Sequence, residues 1–208
     1  MSLLSLQNIS VVFNNKPVIR NFNMDINSGD KIAIKGDSGS GKSTLLSIIL
    51  GLKIPDTGQL VFNGNTVNSS NISDLRNSIS WLPQNVSISV EGVFDFIMLP
   101  FSYKQNRSIR PTKEQVNVLI KKFRLDQDIY TRKMSEISIG EKQRLLMIRG
   151  LLLNRPILVL DEPTASLDSS VKTVIIDFLF KDPGLTIISA SHDQDWLDKC
   201  NKVFEFNK

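Results

Sequence analysis

Nine consecutive residues, Gly36-Asp37-Ser38-Gly39-Ser40-Gly41-Lys42-Ser43-Thr44, carry the sharpest chemistry in this sequence. They fit the spacing G-x-x-x-x-G-K-[ST] and follow the run Lys31 to Lys35, which reads as a strand. Glycines let a backbone wrap a phosphate group closely. A helix starting at about Gly41 would aim free N–H groups and its positive dipole end at the anion. Lys42 would reach the β- and γ-phosphates, and Ser43 would bind Mg²⁺. A bare glycine turn is the rival reading, but the strand before and the helix after favour a nucleotide site.

A second constellation follows far downstream. The apolar run Ile157-Leu158-Val159-Leu160 ends in Asp161-Glu162. Successive side chains on a strand point to opposite sides, so the two carboxylates take different roles. Asp161 would hold Mg²⁺, directly or through water, and Glu162 would polarise the attacking water as general base. His192 follows another apolar stretch, Leu185 to Ser189, where it is placed to contact the γ-phosphate. It is the single histidine, which excludes a metal cluster built on histidines, and the single cysteine, Cys200, excludes an internal disulfide.

These residues need elements to hold them. Strand patterns occur at Leu3 to Leu6, Phe22 to Ile26, Lys31 to Lys35, Gln59 to Phe62, Ser78 to Leu82, Ile157 to Leu160, Thr186 to Ser189 and Lys202 to Phe206. Turn residues Asn14-Asn15 and Ser28-Gly29-Asp30 punctuate the first of them. Helical spacing runs from about Gly41 to Gly51, Thr112 to Phe123, Gly140 to Leu153 and Ser170 to Phe180. Apolar strands alternating with helices predict an α/β fold with a mostly parallel sheet. The helix-rich stretch 86–150 reads as a subdomain inserted in a single domain, 1–208.

Composition adds bounds. At 208 residues, 41% apolar and 22% charged, the chain is long enough to bury a sizeable core. Its net charge of +4 reads as a slightly basic surface. The opening MSLLSLQNIS lacks the charged start and apolar core of a signal peptide. No apolar run approaches the roughly 18 to 20 residues that cross a bilayer, so a role at a membrane would need spanning helices from another chain.

Asp161-Glu162-Pro163-Thr164-Ala165-Ser166-Leu167-Asp168 resembles the acidic motif and following dimer-contact loop of ABC ATPases. Ile137-Ser138-Ile139-Gly140-Glu141-Lys142-Gln143-Arg144 resembles that family's signature, Ser191-His192-Asp193 its switch histidine, and Trp81-Leu82-Pro83-Gln84 its glutamine loop. Phe13, ahead of Lys16-Pro17-Val18, stands where the family places an aromatic on adenine. The motifs span essentially the whole chain in the family's order. The resemblance implies a P-loop NTPase of ABC type, with an antiparallel N-terminal β region beside the parallel core. It implies ATP and Mg²⁺ as ligands, with Gln84 at the metal and nucleotide, and Lys42, Glu162 and His192 at the reacting phosphate. It further implies a homodimer in which Ser138, Gly140 and Asp168 face the partner's nucleotide. An integral membrane transporter subunit would dock at the cytoplasmic face of the cell membrane, partly on Val93 to Phe101, a stretch that equally reads as core of the helical subdomain, and no nucleic-acid partner is expected.

Two departures stand out. Ile139 replaces the signature's first glycine, and a branched side chain there would restrict the backbone and slow the site. Lys35 is polar at the end of the loop strand. Length, the Glu-Lys-Gln-Arg form and the Leu-Pro-Phe stretch are similar to small ATPases of metal exporters, iron exporters included. A soluble ABC protein acting on nucleic acid or ribosomes is the alternative, but no sustained heptad run is present. A small-molecule kinase or GTPase is disfavoured by the signature, Glu162 and His192.

Overall fold

The computed structural model describes residues 2–84 and 90–206. A hairpin opens the chain: β1 (Leu4–Phe13) and β2 (Lys16–Ile26) pair antiparallel around Asn14-Asn15. Both asparagines sit at positive φ, 49° and 57°, as a two-residue turn matched to strand twist demands. These strands are longer than the hydrophobic pattern predicts. Register shifts interrupt the pairing between Leu6 and Val12, and Asn8 and Asn21 also take positive φ. Such bulges flip the inward–outward alternation, so a period-2 reading ends where the first one occurs.

After β3 (Lys31–Lys35) come α1 (Lys42–Ile49), β4 (Thr57–Phe62) and the short β5 (Asn65–Thr66). The antiparallel sheet has the order β2-β1-β4-β5. Then follow α2 (Ile72–Asn77) and β6 (Ile79–Leu82). The stretch after the glutamine holds α3 (Val93–Met98), α4 (Lys113–Lys122) and α5 (Ile139–Leu152), with four short 3₁₀ turns between them. Residues 86–89 of the expected subdomain lie outside the described residues. The chain finishes with β7 (Ile157–Asp161), α6 (Ser169–Phe180), β8 (Thr186–Ala190), the one-turn α7 (Gln194–Leu197) and β9 (Lys202–Glu205).

The second sheet has the order β6-β7-β8-β3-β9, and every pair in it is parallel. Its inner strands β7, β8 and β3 are buried on both faces and separate two cores, while the edge strand β9 is partly exposed. Along β7, Ile157 and Val159 join the core shared with α1 and the antiparallel sheet, while Leu158 and Leu160 face α5 and α6. That alternation is the pleat itself. Val93, Phe96 and Ile97 are buried in the helical core, which is continuous with Leu158 and Leu160, and Phe101 is buried as well. Phe94, Tyr103 and Ile109 remain exposed from the same segment. Lys35 stands beside Glu205 in the β3–β9 register, so the polar strand end faces an opposite charge.

Candidate functional site

A parallel sheet puts the carboxyl ends of all its strands on one edge, and ligands of open α/β sheets bind in the crevice outside that edge. Four functional segments leave there: Gly36–Thr44 after β3, Gln84 after β6, Asp161-Glu162 at β7 and His192 after β8. Together they line a cleft of about 580 Å³, with Val18 from the hairpin as an apolar wall.

The phosphate loop ends in Gly41, whose φ of 112° a side chain tolerates badly. α1 starts directly after it with no side-chain cap, so its first-turn N–H groups are left to a ligand. Lys42 folds back along the loop. Its Nζ donates to the carbonyls of Gly36 at 2.6 Å and Asp37 at 2.9 Å, which fixes the ammonium inside the loop's curve.

Asp161 closes β7 and lies half-buried. Burial and the neighbouring Glu162 push its carboxyl above the ordinary value, with Lys42 pulling the other way. A carboxylate destabilised by its surroundings gains most from a cation. Among the described residues no three His, Cys, Asp or Glu side chains form a metal cage. Mg²⁺ needs none, since one carboxylate, a hydroxyl and substrate phosphates suffice, and Asp161 with Ser43 would fit that donor set.

Glu162 takes φ 48°, a conformation a non-glycine residue adopts at a cost and that clusters at functional sites. Its N–H still donates to Ala190 O at 2.9 Å, extending the β7–β8 ladder by one bond while the chain turns. The alternation expected from a straight strand is thus replaced by a backbone twist. Glu162 Oε2 lies 2.9 Å from His192 Nδ1, and His192 itself is 73% exposed at the mouth of the cleft.

The expected residues divide into groups. Gly36, Asp37, Ser38, Gly39, Gly41, Lys42, Ser43, Thr44, Gln84, Asp161, Glu162 and His192 share the cleft. Ser40 does not: it is buried and lines the adjoining cavity of about 780 Å³, which shares Val18 and Gly39 with the cleft and also holds Phe13. Ser138, Gly140 and Asp168 lie off the cleft altogether. Ser138 caps α5, accepting from Glu141 N while Glu141 Oε2 accepts from Ser138 N–H at 2.9 Å and Oγ at 2.7 Å. Asp168 caps α6 by accepting from Val171 N at 3.0 Å. Ile139 opens α5 as an ordinary helical residue and is 73% exposed.

The family described as ABC transporter matches residues 19–165 of the chain. The chain belongs to that family. It is an ABC ATPase. It is 31% identical to the probable iron export ATP-binding protein FetA of Escherichia coli K12, across 97% of this chain and 89% of FetA. It is 32% identical to the sulfate/thiosulfate import ATP-binding protein CysA of Pseudomonas putida, across 99% of this chain but 64% of CysA. Its fold is that of the ATP-binding cassette MJ0796, solved as a dimer bound to ADP and Pi, with a TM-score of 0.82 over 98% of this chain and 94% of that one, at 24% identity.

Sequence reasoning placed Thr164 and Asp193 within motifs but gave them no role of their own, and it passed over Lys172. Asp193 Oδ2 accepts from Thr164 Oγ1 at 2.9 Å and from Lys172 Nζ at 3.0 Å. Burial pushes Asp193 up, but hydrogen bonds from Lys172 and Thr164 outweigh it and hold the carboxyl below its usual value. Only the position of Asp193 beside the single histidine could have drawn attention to it.

Proposed function

We propose that this ABC ATPase drives a transporter as a homodimer, each nucleotide lying between the cleft of one copy and the start of α5 of the other. The observation that carries this reading is the separation of the expected residues. One copy's cleft holds the loop, Gln84, Asp161, Glu162 and His192, whereas Ser138 and Asp168 sit exposed on helix starts elsewhere. An exposed helix N-terminus offers N–H groups and a positive dipole end to a phosphate. The dimeric state of MJ0796 supports the arrangement.

In this reading Lys42 and the α1 N–H groups neutralise the triphosphate, and Phe13 stacks on the base from the neighbouring cavity. Mg²⁺ held by Ser43, Asp161 and Gln84 would supply positive charge at the β- and γ-phosphates. Glu162 accepts a proton from the attacking water, and His192 orients that carboxylate while reaching the γ-phosphate. Within the expected subdomain, residues 90–150 act as a helical unit. Among the described residues no helix is long and apolar enough to cross a membrane. In this reading the path belongs to an integral membrane subunit at the cytoplasmic face, which docks against the exposed Phe94 and Tyr103. Likeness to FetA supports a metal ion as cargo.

Glu162→Gln tests the core of the proposal. The variant should bind ATP, lose turnover by at least about 100-fold, and run as a dimer with ATP in light scattering. Near wild-type turnover refutes the role of Glu162, and a strictly monomeric ATP-bound variant refutes the shared site.

A further inference from the structure

The loops after β7 and β8 carry Glu162 and His192, and the 2.9 Å contact between those two side chains depends on where the loops sit. His192 is largely exposed and makes little packing of its own. Behind it the structure has a brace. Asp193, the next residue, reaches across to the Glu162 loop, where the buried Thr164 donates its hydroxyl to Oδ2 at 2.9 Å. Lys172 on α6 donates to both carboxylate oxygens, at 3.2 and 3.0 Å, and pairs with Asp195 at 2.5 Å. The N–H of Asp195 also donates to Asp193 Oδ1 at 3.0 Å, closing the turn into α7.

We propose that Asp193 is a positioning residue for hydrolysis, bridging Thr164 and Lys172 so that the histidine loop is held in register with the base loop. The inference rests on the roles proposed for Glu162 and His192. Its physical basis is the steepness of catalysis with geometry: a displacement of about 1 Å at a reacting group costs on the order of 100-fold in rate. A charge-assisted brace among three partly or fully buried groups resists such displacement better than exposed loop packing does. Asp193 acts through its neighbour and does not itself line the cleft.

The experiment is steady-state ATPase kinetics with MgATP on the full chain. Thr164→Val keeps the side chain's shape and removes the hydroxyl, so kcat should fall at least about 10-fold with KM within about twofold. Thr164→Ser, which restores the hydroxyl, should recover most of kcat. Asp193→Asn should resemble Thr164→Val. In a His192→Ala background, Thr164→Val should cost little more, because the brace acts through the histidine. Wild-type kcat in Thr164→Val and Asp193→Asn overturns the inference, as does equal loss in Thr164→Ser or full additivity with His192→Ala. Glu162→Gln is measured alongside. If it stays active the underlying mechanism fails, whereas if it is dead and the brace variants are normal, only the brace is refuted.

Discussion

Gly140→Ala offers a perturbation whose sign the structure decides. Gly140 is the second residue of α5, and alanine in a helix is better than glycine by about 1 kcal/mol. With nothing nearby, the substitution would stabilise. A Cβ at this position, however, would lie 2.7 Å from the backbone oxygen of Ser166. Carbon–oxygen contacts settle near about 3.3 Å or beyond, so helix and loop must part by roughly 0.6 Å. The obstacle is backbone rather than a flexible side-chain tip, and overpacking of this kind costs about 1–3 kcal/mol. The net expectation is a loss of about 1 kcal/mol, read as a thermal midpoint lower by about 2–4 °C in a chain of this size. Circular dichroism melts and urea titrations measure it. Ile139→Ala at the exposed neighbouring position is the control, expected within about 0.5 kcal/mol of wild type. A higher midpoint for Gly140→Ala refutes the argument that close approach of α5 to the Ser166 loop requires this glycine.

Burial pushes the Cys200 thiol up to about 12, and its Sγ donates to Trp196 O at 3.4 Å. It should therefore resist a thiol reagent at about pH 8 until denaturant is added, and rapid labelling of the folded chain would contradict this. Asp30 is buried, which raises its carboxyl, yet Lys202 Nζ at 2.6 Å, Asn27 N and Asn201 outweigh that and hold it below its ordinary value. A depressed carboxylate contributes stability above its unfolded pKa and loses it as pH falls through the folded value. Asp30→Asn should thus lower the urea midpoint at about pH 7 but flatten its decline between about pH 5 and pH 3, and an unchanged slope would count against the pairing.

Much of the site was legible because its chemistry is contiguous. The phosphate loop needs glycines, a lysine and a hydroxyl within nine residues, and backbone geometry ties them to one strand and one helix. Asp161-Glu162 was readable because Ile157 to Leu160 is apolar on both faces, as a central parallel strand must be. The ends of β1 and β2 were not, since bulges at Asn8 and Asn21 break the alternation that sequence reading relies on. α2 and α7, at six and four residues, are too short to express a helical period.

What the residue order determined, then, is the set of groups on which the proposed mechanism draws. Which of them meet was decided by strand pairing. Asp161 stands beside Ala190 in the β7–β8 register, and that single alignment brings Glu162 to His192 and Thr164 to Asp193 across thirty or so positions of chain. The same folding sends Ser138 and Asp168 to helix starts away from the cleft. Side-chain periodicity is a local property of a backbone, whereas register between distant strands comes from burying both faces of the sheet at once, and no window of sequence contains that information.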